Sequence, residues 1–290
     1  MSKTTDLLMA QSIPTLTGYA RTYANVGKTK NFGYDLTFNF VPVRTKDFEW
    51  NIGVNAAYSR NEIVSLANGK EDDPANGWFI GESTNSIYTY ESAGLWKEED
   101  RADMEKFNAN GHDFQIGMAR PVDQNGDYKI DANNDRTIVG HYDPRWTLGL
   151  NTNFTYKGWD LGIQLYGRMG FKYYDSSVWV GGRYNVRDYD YYNENNKNAA
   201  HPKPIYDEGG KDAYYNETYL KNGSYLKIRN ISLGYTFPNR LLTHTGLSAL
   251  RMYAQIKNPG YIFSGCKTLD LDTYSNTYNS GFTFGLNLSF

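Results

Sequence analysis

The sequence predicts an all-β fold: antiparallel transmembrane strands of an outer-membrane β-barrel with long extracellular loops. Three observations carry this. Seven segments alternate apolar and polar residues with period two, the mark of a strand with one apolar face. The connections between them alternate strictly between short and long, as in barrels with short periplasmic turns and long extracellular loops. Tyrosine is abundant, at 26 of 290 residues, yet mean hydropathy is −0.67. That pairing suits a protein with an apolar lipid face and a polar lumen. The composition also excludes classes. No stretch approaches the ~18 apolar residues of a membrane-spanning helix. Thirty basic against 32 acidic residues give a net charge of −2, and nothing points to nucleic acid. The one cysteine, Cys266, makes no internal disulfide. Near the start, Leu7-Leu8-Met9-Ala10 is too short an apolar run for a signal peptide.

Each strand follows from its pattern. Segment 4–9 is the weakest candidate. In 34–40 the apolar set is Tyr34, Leu36, Phe38 and Phe40; in 48–59 it is Phe48, Trp50, Ile52, Val54, Ala56 and Tyr58. Trp146, Leu148, Leu150, Phe154 and Tyr156 share a face in 146–156, as do Trp159, Leu161, Ile163 and Leu165 in the next segment. Segment 225–237 changes phase: Leu226 and Ile228 are even, whereas Ile231, Leu233, Tyr235 and Phe237 are odd. A one-residue bulge near Arg229-Asn230 keeps all six on one face. Leu250, Met252, Ala254 and Ile256 form the seventh face, and the terminal GFTFGLNLSF forms the eighth. Short turns fall at 44–47 and at Lys157-Gly158, with about ten residues from Pro238; the long connections are 60–145, 169–223 and 259–280. With the short turns periplasmic, the last strand descends and Phe290 ends in the periplasm. Two rival architectures fit part of the pattern: a self-contained eight-stranded outer-membrane barrel with a structural or adhesive role, and a soluble carbohydrate-binding sandwich.

At this point the residues match a family. TTDLLMAQSIP and NVGKTKNFGYDLTFNF, SIYTYESAGLW, DQNGDYKIDANNDRTIVGHYDPRWTLGLN, NGSYLKIRNISLGYTFP and the terminal GFTFGLNLSF occur in the order and spacing of the C-terminal part of the SusC/RagA TonB-dependent outer-membrane transporters of Bacteroidetes. The chain resembles that part over essentially its whole length. Departures are small: Tyr128 stands where the family has a second glycine, and KNPGYIFSGCKTLDLDTY is a loose version of another motif. The resemblance implies a large barrel closed around a plug, importing glycans or peptides with TonB energy beneath a SusD-like lipoprotein. It also implies that residues 1–290 are the C-terminal part of the barrel, a fragment with plug and TonB box absent, about eight strands of the total.

Candidate chemistry lies mainly in the loops. Trp78, Phe79, Tyr88, Tyr90 and Trp96 in the first long loop, with Trp179 and Tyr184 in the second, offer flat faces for stacking on sugar rings; loop self-packing is the competing expectation. Asp123, Asn125, Asp127 and Asp131 form D-x-N-G-D-x-x-x-D, which places oxygen ligands at calcium-loop spacing. An Asx-turn loop held by its own backbone is the alternative. Lys227, Arg229, Arg251 and Lys257 are lumen-side charges with two readings: contact with a plug or substrate, and, as the stronger expectation, pairing with Asp35, Asp160 and their neighbours. Glu98 to Lys106 reads as a short solvated helix ending before Gly111. No enzyme motif is present: no G-x-S-x-G, no P-loop, no H-E-x-x-H.

Overall fold

The computed structural model describes residues 2–12, 16, 18, 21–66, 69–175, 189–204, 212–244, 246–266, 269–273 and 278–290. Fourteen strands and one α-helix follow in chain order: β1 (Ser2–Ser12), β2 (Arg21–Arg44), β3 (Phe48–Ser65), β4 (Ser86–Tyr90), β5 (Ser92–Leu95), α1 (Arg101–Ala109), β6 (Ala119–Pro121), β7 (Arg136–His141), β8 (Trp146–Tyr156), β9 (Trp159–Met169), β10 (Lys172–Tyr174), β11 (Leu220–Asn222), β12 (Tyr225–Thr236), β13 (Ala249–Ser264) and β14 (Gly281–Ser289). Eight of them form one antiparallel sheet in the order β1-β2-β3-β8-β9-β12-β13-β14, the seven alternating segments together with the weaker candidate at 4–9. The remaining six pair as β4-β7, β5-β6 and β10-β11 within the long connections.

Register follows the side-chain pattern. Trp50 lies opposite Phe154, Ile231 opposite Ile163 and Met252 opposite Leu286, so apolar residues meet across these ladders. The expected bulge is present. Ile228 pairs with Leu165 and Asn230 with Gln164, leaving Arg229 as the extra residue. A second irregularity falls in β2 between Phe40 and Val43; Pro42, which has no N–H to give a ladder, sits inside it. β8 and β9 have 11 residues each, enough to cross a bilayer when tilted. β2, with 24 residues, and β3, with 18, run on well past that length on the side of the long loops.

The two tight turns abut at one end of the sheet. The Lys157 N–H donates to the Asp47 carbonyl at 3.2 Å, and the Lys157 ammonium lies 3.9 Å from the Asp47 carboxylate. Lys157 and Gly158 both have positive φ (48° and 91°), the conformation of a two-residue hairpin turn. The long connections meet at the opposite end. There the Lys203 N–H of the second loop donates to the Gly117 carbonyl of the first at 2.9 Å.

The apolar face of the sheet is bare. Phe38, Phe40, Leu233, Met252, Phe284 and Leu286 are exposed, and among the described residues no second layer covers them. A soluble sandwich buries that face, so the sandwich architecture does not hold. The self-contained barrel does not hold either: β1 and β14 lie at opposite ends of the strand order and are not paired among the described residues. The buried hydrophobic clusters lie in the loops and the loop-side ends of strands instead.

Candidate functional site

The first long loop folds around its own core. Trp96, Met104, Phe107, Phe114, Met118 and Ile130 are buried together, with Tyr90 and Tyr214 against them. α1 contributes Met104 and Phe107, three residues apart on one helical face. The expected solvated helix is therefore amphipathic, and it does stop before Gly111. Trp96 is 0% exposed; its ring meets Phe107, Phe114 and the Arg120 guanidinium, 4.6 Å from the ring centre. Of the aromatics read as sugar platforms, Trp96 is thus corrected to a core residue. Trp78 packs against buried Ile63 and Leu66. Tyr90 meets Tyr214 edge-on at 5.0 Å, with Arg136 over its ring. Phe79 rests on Tyr88 at 4.6 Å. Trp179 and Tyr184 lie outside the described residues.

Between the first and second loops lies a cleft of about 420 Å³. Tyr88, Arg136 and Tyr142 line one side; Tyr174, Asn216 and Glu217 line the other. Strand β7 places Arg136, β10 places Tyr174, and the 3₁₀ turn Tyr215–Tyr219 places Asn216 and Glu217. The Tyr174 hydroxyl donates to Asn216 Oδ1 at 2.7 Å, and Thr89 Oγ1 donates to Glu217 Oε1 at 3.0 Å. Burial pushes the Glu217 carboxyl above its ordinary range and Tyr174 up to about 12. Glu217 Oε2 is buried with no partner of its own. Of the loop aromatics the sequence offers, Tyr88 and Tyr174 line this cleft. Sequence reasoning missed Tyr142, Asn216 and Glu217, since no spacing connects residues so far apart.

The aspartate loop is closed by its own backbone. Asp123 accepts from the N–H groups of Gly126 and Tyr128 at 2.7 and 2.8 Å, and Asp127 accepts from Lys129. Asn125 Oδ1 accepts from the Asp127 N–H. Asp131 accepts from Asn133 and Asn134. Asp135, 0% exposed, ties the ends together through Gln124 and the Asp131 N–H. Among the described residues no group of three or more His, Cys, Asp or Glu side chains is placed to hold a metal ion. The oxygens that sequence spacing offered to calcium accept from backbone N–H donors, as in an Asx-turn loop. Tyr128 has a φ of 60°, the left-handed region that favours glycine. Its ring packs edge-on against Phe107, and its hydroxyl accepts from Lys106 at 3.2 Å.

On the polar face of the sheet, the charged residues pair partly as expected. Arg251 reaches across Gly234 to Asp160, its Nη2 2.5 Å from the carboxylate. A Cβ on Gly234 would collide with both partners, so glycine gives the pair its path. Lys227 and Arg229 pair elsewhere than expected, with Asp270 and Asp272 of the third long connection rather than Asp35.

No protein-family model matches the chain. It is similar to the TonB-dependent receptor P3 of Formosa agariphila, 27% identical over an alignment of 320 residues covering 99% of this chain and 31% of the relative. It is also similar to the TonB-dependent receptor SusC of Bacteroides thetaiotaomicron, 28% identical over 311 residues covering 99% of this chain and 29% of that protein. The chain thus spans about a third of the length of the curated relatives it matches. A solved structure titled the RagAB peptide transporter superposes with a TM-score of 0.73 at 25% identity, covering 99% of this chain and 32% of that one.

Proposed function

We propose that this chain, which matches a SusC/RagA-type TonB-dependent transporter along nearly all its length, forms part of the wall and loop crown of an outer-membrane importer of oligosaccharides. In this reading TonB supplies energy, a SusD-like lipoprotein covers the loop rim, and Phe290 faces the periplasm. The activity is transport, not catalysis. The observation that carries the reading is the rim cleft. It joins phenol rings, an amide and two charged groups above a sheet whose apolar face is bare. Flat aromatic faces with hydrogen-bonding neighbours suit sugar rings. A second reading, peptide import, is favoured by the structural neighbour titled a peptide transporter.

The test is uptake by cells carrying the intact transporter that contains this chain. Fluorescent oligosaccharide is expected to enter, and a protonophore is expected to stop it. The double substitution Tyr142→Ala, Tyr174→Ala is expected to lower uptake about tenfold, the loss of roughly 1.4 kcal/mol of binding. A tag on the chain is expected to recover a lipoprotein with it. Uptake of oligopeptide but not oligosaccharide selects the second reading, and uptake untouched by the double substitution removes the cleft from the path.

A further inference from the structure

The polar face of the sheet carries a second charge cluster. Tyr225 and Lys227 lie on the polar face of β12: Tyr225 is opposite Arg168 and Lys227 opposite Tyr166 on β9, with Ser264 and Tyr261 on the other side. Arg229 is the bulge residue, and a bulge re-aims its side chain. Its guanidinium stacks 3.8 Å from the centre of the Tyr166 ring. All three point at one carboxylate, that of Asp272 in the third long connection. Lys227 Nζ is 2.8 Å from Oδ2, Arg229 Nη2 is 3.1 Å from Oδ2 and 3.3 Å from Oδ1, and the Tyr225 hydroxyl donates to Oδ1 at 3.2 Å. Asp270 lies 3.6 Å from the same ammonium and accepts from the Tyr261 hydroxyl.

We infer that Tyr225, Lys227 and Arg229 form a carboxylate subsite in the inner wall, closed here by Asp272 of the chain's own third loop, that takes an acidic group of the imported oligomer. The inference rests on the import reading and adds a substrate class to it. Lys227 is 1% exposed, and a buried ammonium without a counter-anion is strongly unfavourable. The cradle therefore requires a carboxylate, supplied here by Asp272 at 2.8 Å with Asp270 behind it at 3.6 Å. Its donors are generic for one: a point charge, a planar guanidinium and a phenol. Burial pushes the Asp272 carboxyl up, but the Lys227 hydrogen bond and the charges of Lys227 and Arg229 outweigh it and hold the group below its usual range. Asp272 is tethered, so its effective concentration at the cradle is of millimolar order. A monomeric acid competes poorly against it. An oligomer held at the rim at the same time competes well.

The experiment uses the assembled transporter in detergent. Four probes are titrated: trigalacturonate, its methyl ester, an acidic tripeptide, and the same tripeptide with its carboxyl groups amidated. Asp272→Asn is expected to tighten binding of trigalacturonate, of the acidic tripeptide, or of both, by about tenfold, and to leave the ester and the amide unchanged. The responding probe identifies the source of the carboxylate. Lys227→Met is expected to abolish the preference for charged over neutral probes. A heat-modifiable band checks assembly of each variant, and if Lys227→Met does not assemble, Asp272→Asn alone decides. Equal shifts for charged and neutral probes, or no shift for any, overturn the subsite. In that case continued uptake of neutral oligosaccharide leaves the import reading standing, whereas uptake lost for every substrate in the assembled wild type counts against import itself.

Discussion

Thr152 interrupts the apolar face of β8, between Leu150 and Phe154, where an alternating strand should carry another large apolar residue. The structure supplies the reason. The Trp50 indole N–H donates to Thr152 Oγ1 at 2.8 Å. Both residues belong to the apolar face, which the proposed membrane reading turns toward lipid, where water cannot satisfy that N–H. Thr152→Val keeps the shape and removes the acceptor. It is expected to destabilise the folded barrel by about 1–3 kcal/mol, the cost of an unpaired buried donor. Thr152→Ser is expected to retain most of the stability. Urea titration of the folded and unfolded gel bands measures both, and a Val variant as stable as wild type would remove the bond from the energetics. The Arg229 bulge is the counterpart case. There a phase change along the sequence was enough to place the extra residue, because period two makes a one-residue slip visible.

The strands were legible because each exposes one face to an apolar medium and one to water, and that constraint is written at every second residue. The loops obey no such period. Their aromatics read as candidate ligand platforms, yet Trp96 is sealed by Phe107 and Phe114, because a loop of this length must bury a core of its own. The cleft was illegible for the same reason: Tyr88 and Glu217 meet only after two loops have folded onto each other. Within the first loop, His112 closes the core. Its Nε2 accepts from the Ile130 N–H at 3.0 Å, and its ring stacks on Phe114. Only the neutral imidazole accepts that bond. Burial lowers the His112 pKa below its ordinary 6.5. Stabilisation from the neutral ring is therefore complete above about pH 6.5 and lost as pH falls through the lower folded value. Hydrogen exchange at the Ile130 amide, corrected for its intrinsic rate, is expected to stay slow above that range and to quicken below it. His112→Gln keeps an acceptor without the titration and is expected to flatten the profile; an unchanged profile in that variant would assign the effect to another group.

The sheet is open, with β1 and β14 at the two ends of its strand order. Tilt, stagger and strand number are linked in a closed barrel, so eight strands belonging to a larger barrel are expected to form an arc of shallow curvature. Curling the same strands into a small ring would require a different stagger along every ladder. That would break pairings such as Trp50 opposite Phe154 and Met252 opposite Leu286, on which the apolar face depends. The arc therefore leaves the outer edges of β1 and β14 unpaired among the described residues. In lipid each unsatisfied backbone group costs several kcal/mol, and in water an open edge beside exposed Phe282 and Phe284 is a template for aggregation. The first two long loops meet through Lys203 and Gly117, and among the described residues no strand pairs with the outer edge of β1 or β14. Residues 1–290 expressed alone are therefore expected to refold into aggregates or edge-paired oligomers, with no monomeric pore. Refolding into detergent, a heat-modifiability gel and liposome conductance test this together. A heat-modifiable monomer that conducts would mean that the eight strands close on themselves after all, and that the open order is not the state the membrane selects.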